Sequence, residues 1–134
     1  MGLYDAVLIK DNHLAAISSF TNEAASWLER IKQAIAKIRN DHPDITVQVE
    51  VDTLQQLEKV ILLRPDLILL DNMSLEDMKT AVAIRGGLEI ELEASGGIDL
   101  QTVRAIAETG VERISVGALT HSAINFDWGL DWQT

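Results

Sequence analysis

The chain has 134 residues, of which 47% are hydrophobic and 24% charged, so it can bury the core of one domain. Its formal net charge of −10 disfavours nucleic acid as a partner, because phosphate contacts need clustered lysine and arginine. It has no cysteine, which excludes disulfides and thiolate metal sites, and no apolar run long enough to span a membrane. We therefore expect a cytoplasmic protein that binds neither nucleic acid nor a membrane.

Segments typical of strands alternate with segments typical of helices along the chain. Five apolar or alternating segments predict strands: Ala6–Lys10, Ile45–Asp52, Leu67–Leu70, Glu89–Ala94 and Arg113–Ala118. Apolar residues at helical spacing predict the helices between them: Glu23–Arg39, a helix with Leu54, Leu57, Val60 and Ile61, a helix from Ser74 to just before Gly86, and Asp99–Glu108. This alternation indicates parallel βαβ units.

The predicted strands are polar on one face and apolar on the other. Val47 and Val49 point one way, and Gln48 and Glu50 point the other. A polar inner face with helices outside suits a (β/α)-barrel, but a closed barrel needs eight strands in about 250 residues. The sequence therefore predicts an α/β fold in which residues 1–134 form an incomplete or open TIM-like barrel. An open strand edge needs a partner, so we expect a homo-oligomer.

Two neighbouring predicted strands end in glycine-containing turns. Ser95-Gly96-Gly97 follows the fourth strand, and Gly117 lies near the end of the fifth. In (β/α)-barrels, the loops after the last two strands bind phosphate through backbone N–H groups, which glycine allows a ligand to approach closely. The turns therefore point to a phosphate site, although plain tight turns would use the same residues.

Charged residues also lie at the predicted strand ends, where barrel active sites are assembled. Lys10 ends the first strand, Glu50 lies near the end of the second, and Asp71 follows the third. A lysine and carboxylates beside glycine turns predict a cation-assisted site for an anionic ligand. Each residue has a structural alternative: Lys10 and Glu50 as solvated side chains, Asp71 as a turn cap with Asn72, and His121 as a structural histidine.

Five short segments follow one another in a recognisable order: Gly2–His13, Val49–Asp52, Leu69–Met73, Glu93–Gly97 and Ser115–Ser122. Together they resemble the quinolinate phosphoribosyltransferase family, also called nicotinate-nucleotide pyrophosphorylase (carboxylating). Each segment alone is a weak motif, but five in the family's order are specific. The chain is similar to roughly the C-terminal half of a family member.

The resemblance implies that the ring nitrogen of quinolinate attacks C1 of phosphoribosyl pyrophosphate, pyrophosphate leaves, and loss of CO₂ gives nicotinate mononucleotide. It implies that Lys10 binds a quinolinate carboxylate, while Glu50 and Asp71 hold the ribose hydroxyls and the Mg²⁺ of the donor. These three are the candidate catalytic residues. The other implied substrate-binding residues cradle the 5′-phosphate or lie near it: Ser95, Gly96, Gly97, Gly117, Ala118 and His121.

The sequence departs from the family in one large way. The family's N-terminal sandwich domain, its first barrel segments, and the His-Arg pair and further arginines that bind quinolinate have no counterpart here. Because a dicarboxylate needs paired cations, we expect this chain alone to turn over quinolinate very slowly or not at all. Two alternatives stay open: a phosphosugar enzyme in which Lys10 forms a Schiff base, and a non-catalytic fragment that acts as an assembly module.

Overall fold

The computed structural model of the chain describes residues 6–10 and 24–117, and for residues 24–27 it describes the backbone alone. Five strands form one parallel sheet in the order β1-β2-β3-β4-β5. Their bounds are Ala6–Ile9 (β1), Thr46–Val51 (β2), Leu67–Asp71 (β3), Glu91–Ser95 (β4) and Arg113–Ile114 (β5). The helices are Ala24–Asp41 (α1), Leu54–Val60 (α2), Leu75–Arg85 (α3) and Val103–Ala107 (α4), and a 3-10 turn over Ile61–Leu63 follows α2.

This architecture confirms the predicted α/β class with parallel βαβ units. The strands lie in the sheet in the order in which they occur along the chain, as they do in a barrel wall. Within the described residues the sheet is open, with β1 and β5 at its two edges. Within the same residues, no helix has the length and apolar composition that crossing a membrane requires.

One face of the sheet forms the core. Val47, Val49 and Val51 have no exposed surface, as the alternation of β2 predicts. Parallel pairing aligns Val49 and Val51 with equally buried residues on β3 and β4, and helices cover this face. The main cluster combines strand and helix residues: Val49, Val51, Ile68, Leu70, Leu92 and Ala94 from strands, with Leu57, Val60, Met78, Ala81 and Ile106 from helices.

The opposite face of the sheet is polar and partly exposed. Glu50 of β2 pairs in register with Leu69 of β3, which pairs with Glu93 of β4. Asp71 lies two residues beyond Leu69 on the same face, beside Ser95. Four of these side chains are polar and all five are partly buried, so the face fits the polar barrel interior predicted from the sequence.

The last helix is shorter than its sequence pattern predicts. The prediction starts it at Asp99, but α4 begins at Val103. The Asp99 carboxylate accepts hydrogen bonds from the backbone N–H groups of Gln101 and Thr102, each at 2.9 Å. Together with the bond from the Val103 N–H to the Asp99 carbonyl at 2.9 Å, these are the bonds of a helix N-cap, so Asp99 starts the helical segment although residues 100–102 form a turn rather than a regular helix.

Strand β4 starts later than predicted, and β5 is shorter. β4 begins at Glu91 because a tight turn precedes it, in which the Ile90 N–H donates to the Leu88 carbonyl at 2.9 Å. β5 comprises two residues, although the Ser115 N–H extends its pairing to the Ala94 carbonyl at 2.9 Å. An edge strand with one neighbour has few ladder bonds to keep it extended.

Helix caps bring two helix N-termini to the edge where the strands end. The Thr53 hydroxyl accepts from the Gln56 N–H at 3.3 Å at the start of α2, and the Ser74 hydroxyl accepts from the Asp77 N–H at 3.1 Å at the start of α3. Serine and threonine are among the residues preferred at helix N-caps, because the hydroxyl oxygen accepts a hydrogen bond from an otherwise unpaired backbone N–H. Negative charge is favoured near helix N-termini, and the first turn of α3 accordingly contains Glu76 and Asp77.

Candidate active site at the carboxyl rim

The carboxyl rim is the edge of the sheet at which the strands end, and the amino rim is the edge at which they begin. Lys10 follows β1 directly, and its ammonium lies 3.6 Å from a carboxylate oxygen of Glu50 on β2. The Lys10 side chain is 51% exposed, whereas that of Glu50 is 15% exposed. The two predicted residues therefore form an ion pair across neighbouring strands, in which the lysine is the more solvent-exposed partner.

Asp71 is the last residue of β3, and its carboxylate is fixed by its neighbour in the chain. The Asn72 side-chain amide donates to Asp71 Oδ2 at 2.8 Å. Asp71 lies one strand over from Glu50 and two residues nearer the rim, which corresponds to about 8 Å between Cα atoms by strand spacing and rise. Both carboxylates lie on the polar face, within reach of one ligand.

The turn after β4 needs glycine at Gly96 for two separate reasons. Gly96 has a φ of +92°, which side chains rarely adopt. A Cβ there would also lie 2.2 Å from Asn72 Oδ1 and 2.9 Å from the Asn72 nitrogen. The loop after β3 is therefore packed directly against the backbone of the predicted phosphate turn, a contact that the sequence does not indicate.

Gly97 and Gly117 differ from Gly96 in their surroundings. Gly97 has a φ of +59°, and a Cβ on it would meet no described atom within 4 Å. A Cβ on Gly117 would likewise meet no described atom within 4 Å, and its φ lies outside the range that disfavours side chains. Packing within the described residues thus leaves the approach to Gly117 open. Ala118 and His121 lie outside the described residues.

One polar pair at the rim was not selected from the sequence. The Ser115 hydroxyl donates a hydrogen bond to the carboxylate of Glu93, which lies in the same row of paired residues as Glu50. Arg113, the next residue in that row, pairs instead with Glu91. The contact between Ser115 and Glu93 has no local sequence pattern and follows from the pairing of β4 with β5.

A cavity of about 380 Å³ lies next to the glycine turn, between the first residues of α3 and the segment that leads into α4. Its lining is mainly apolar: Met73, Leu75, Met78, Ile98, Ala105 and Ile106, with Gly96, Gly97, Ser74, Gln101 and Thr102. The lining includes neither Glu50 nor Asp71. This cavity is therefore distinct from the charged part of the rim, although both border the glycine turn.

Glu50 and Asp71 are the residues of the rim that the sequence predicts as metal ligands. Within the described residues, no group of three or more His, Cys, Asp or Glu side chains is arranged to hold a metal ion. Mg²⁺ needs fewer protein ligands, because it keeps several waters and binds through one or two carboxylates together with substrate phosphates. Two hard oxygen ligands on one face, Glu50 and Asp71, fit that coordination.

The fold and the placement of polar residues at one rim define an α/β protein of the (β/α)-barrel type. The model of the family described as quinolinate phosphoribosyl transferase, C-terminal domain, matches residues 1–131. The chain therefore belongs to this family, and the resemblance drawn from its five segments is confirmed.

Relatives and solved structures agree with this assignment. The chain is 40% identical over 133 residues to the nicotinate-nucleotide pyrophosphorylase (carboxylating) of Mycobacterium leprae (strain TN), covering 98% of the chain and 43% of the relative. It is 35% identical over 130 residues to the probable enzyme of that name from Bacillus subtilis (strain 168), covering 97% and 41%. The structure of the Francisella tularensis nicotinate-nucleotide pyrophosphorylase matches with a TM-score of 0.70 and 39% identity, over 89% of this chain and 38% of that one. The chain thus spans about two fifths of the length of these proteins.

Proposed function

We propose that this chain forms the phosphoribosyl-binding portion of an enzyme that converts quinolinate and phosphoribosyl pyrophosphate to nicotinate mononucleotide, pyrophosphate and CO₂ in NAD biosynthesis. The observation on which the proposal depends is the position of Glu50 and Asp71 on one face of the sheet, beside the glycine turn at the carboxyl rim. Family membership favours this function over the Schiff-base enzyme and the assembly module.

In the proposed site, the 5′-phosphate lies against the backbone of Ser95, Gly96 and Gly97 and approaches Gly117, where a Cβ would meet no described atom within 4 Å. Backbone N–H groups in turns of positive φ suit an anion, and Gly96 and Gly97 both have that conformation. Ala118 and His121 complete the substrate-binding set by family membership alone. The proposal places the donor's phosphate end at β4 and β5.

The ribose of the donor lies against the carboxylates in this proposal. Asp71 and Glu50 accept hydrogen bonds from its hydroxyl groups, and Lys10 binds a carboxylate of quinolinate near Glu50. Mg²⁺, when bound, would neutralise charge on the pyrophosphate. As the bond from C1 to pyrophosphate breaks, positive charge develops on the sugar, and two fixed carboxylates nearby stabilise it electrostatically. The side chains hold the reacting groups in line more than they transfer protons.

The chain spans about two fifths of the length of its relatives, and this share can be compared with what the second substrate, quinolinate, requires. Quinolinate carries two carboxylates, and guanidinium groups match carboxylates best. The described rim offers Lys10 as the cation of the proposed site. We propose that the remaining part of the enzyme supplies the other cations and, with them, tight quinolinate binding. Cytoplasmic location and a homo-oligomeric state remain predictions of the same proposal.

Calorimetry with phosphoribosyl pyrophosphate and Mg²⁺ tests the donor site. We expect the wild-type chain to bind the donor more tightly with Mg²⁺ than without it. Asp71→Asn should weaken the Mg²⁺-dependent binding by tenfold or more, since a bond to a charged group contributes about 1.5–3 kcal/mol and each ~1.4 kcal/mol is a factor of ten. Asp44→Asn makes the same chemical change at an exposed turn near the amino rim and should leave binding unchanged. Equal affinities in all three proteins would contradict the proposed site.

An assay of nicotinate mononucleotide formation tests whether the active site is divided between this chain and the remaining part of the enzyme. We expect very little product from the purified chain alone, because water reaches the open polar face and screens its charges. Addition of a second chain that supplies the rest of a relative's length should restore turnover. Full turnover by the chain alone would refute the idea that the site is divided between two parts. If adding the second chain restored no turnover, the proposed reaction would be refuted.

A further inference from the structure

Asn72, the residue after β3, has a left-handed backbone conformation and contacts both Asp71 and the Gly96 turn. Its φ is +51°, in the left-handed region that asparagine tolerates better than most residues. Its backbone N–H donates to the Ser95 carbonyl at 2.9 Å, which extends the β3–β4 ladder by one bond. The left-handed residue then turns the chain so that Met73 is buried and Ser74 caps α3.

The Asn72 side chain touches both halves of the proposed site. Its Nδ2 donates to Asp71 Oδ2 at 2.8 Å, and because a carboxylate only accepts hydrogen bonds, this contact fixes which end of the amide is which. Its Oδ1 therefore faces Gly96, where it lies 2.2 Å from the position a Cβ would occupy. One side chain thus spans the gap between the carboxylate and the glycine turn.

We propose that Asn72 is a positioning residue that sets the Asp71 carboxylate and the Gly96 turn in a fixed relation, so that one donor molecule can contact both. The inference rests on the proposed function. The amide occupies one oxygen of Asp71 and leaves the other for a ligand, and it limits rotation of the carboxylate. On the other side, the same amide defines how closely the glycine turn approaches β3. Sites that hold a reacting group need this kind of support, because small displacements cost much of the rate.

Two substitutions separate this role from a purely structural one. Asn72→Gly keeps the left-handed conformation at no steric cost and removes the amide from both contacts. Asn72→Asp keeps the shape of the side chain, but it replaces the donor with a second carboxylate beside Asp71. Asn40 provides a matched control, because its Nδ2 also donates to the next residue, Asp41, at 3.3 Å, in the last turn of α1 near the amino rim. Asn40→Asp adds the same charge far from the site.

The experiment measures Mg²⁺-dependent binding of phosphoribosyl pyrophosphate by calorimetry and the melting temperature of each full-length chain. We expect Asn72→Gly to bind about tenfold more weakly and Asn72→Asp more weakly still, with melting temperatures close to that of the wild type. Asn40→Asp should bind as the wild type does. Wild-type affinity in both Asn72 variants would overturn the proposal. A loss of binding matched by a loss of the folded state in both variants would also overturn it, since the role would then be structural only.

A second measurement does not depend on the donor. Amide resonances of Gly96 and Gly97 in the ligand-free chain should shift in Asn72→Gly, because the turn loses the group packed against it, and should stay in place in Asn40→Asp. Unchanged glycine resonances in Asn72→Gly would overturn the positioning role even if the wild type binds the donor. Shifted resonances in a chain that fails to bind the donor would support the positioning contact and refute the proposed function.

Discussion

Carboxylates at the two rims of the sheet have different partners. At the amino rim, Asp66 precedes β3 and accepts hydrogen bonds from the Val47 N–H at 2.7 Å and from Arg39 at 3.2 Å. Arg39 also donates to the Arg64 carbonyl at 2.8 Å. This one carboxylate joins the end of α1, the start of β2 and the start of β3, and each of its two oxygens accepts one hydrogen bond within the fold.

The same arrangement recurs two strands further on. Glu112 precedes β5 and accepts from the Leu92 N–H at 2.8 Å and from Arg85, in the last turn of α3. In both cases the arginine lies 27 residues before the carboxylate. At the carboxyl rim, by contrast, Asp71 accepts from a neutral amide. The difference means that the two amino-rim carboxylates join strands to helices with both of their oxygens, while Asp71 at the carboxyl rim uses one oxygen for Asn72 and has the other for a ligand.

The largest expected effect comes from Gly96→Ala, which tests how much the close packing of the Gly96 turn against Asn72 at the carboxyl rim contributes to stability. A Cβ would overlap Asn72 and would force a φ of +92° on alanine. We expect the free energy of unfolding to fall by about 3–5 kcal/mol, from overpacking and backbone strain together. Gly117→Ala is the matched control, because its Cβ meets no described atom within 4 Å. Urea titration of both variants measures the difference.

If Gly117→Ala destabilised the chain as much as Gly96→Ala, the contact with Asn72 would not explain the cost. Gly117→Val extends the test to function. Its larger side chain should abolish phosphate binding by filling the approach to the backbone, and the free energy of unfolding should change by less than about 0.5 kcal/mol, as at most surface sites. Unchanged phosphate affinity in Gly117→Val would remove Gly117 from the proposed site.

A smaller effect is expected from Glu112→Ala, which tests the amino rim. The variant leaves the partly buried Leu92 N–H without its acceptor and leaves Arg85, whose side chain is 19% exposed, without its carboxylate. We expect a loss of about 1–3 kcal/mol in the free energy of unfolding, the cost of an unsatisfied buried group. Donor binding by the remaining folded protein should be unchanged.

Glu108→Ala is the control for Glu112→Ala, because Glu108 forms an exposed pair with Arg104 one helical turn away. Such pairs contribute about 0.3–0.5 kcal/mol, so chemical denaturation should barely distinguish this variant from the wild type. A loss of donor affinity in Glu112→Ala with unchanged stability would contradict the assignment of a structural role to the amino rim and of ligand binding to the carboxyl rim.

The smallest effect concerns Asp99, which follows the glycine turn. Hydrogen bonds from the Thr102 backbone N–H, the Thr102 hydroxyl and the Gln101 N–H hold the pKa of Asp99 below its ordinary value of 3.8. A lowered pKa in the folded state means that this carboxylate stabilises the fold above the ordinary pKa and loses that contribution as pH falls through the folded value. We expect the melting temperature of the wild type to decrease below about pH 4 slightly more than that of Asp99→Asn. Parallel pH profiles would show that Asp99 contributes nothing.

Much of the candidate site could be predicted from the sequence because parallel strands all end at one edge. Lys10, Glu50, Asp71 and Ser95 each lie at or near the end of an apolar or alternating segment, and βαβ order alone places them on one rim. The contact between Asn72 and Gly96 could not be predicted in this way. It depends on the left-handed turn after β3 and on the exact register of β3 with β4, neither of which has a local pattern.

The sequence by itself determined the α/β class, the order of the elements, the buried face of β2 and the family. Those features follow from periodicities of two and 3.6 residues, from caps such as Thr53 and Ser74, and from short motifs, all of which are local. The tertiary structure alone decided the register that pairs Lys10 with Glu50. It alone also decided the use of Asp66 and Glu112 at the amino rim. These depend on contacts between residues distant in the chain, and hydrogen bonds of that kind are selected by packing of the whole sheet rather than by local sequence.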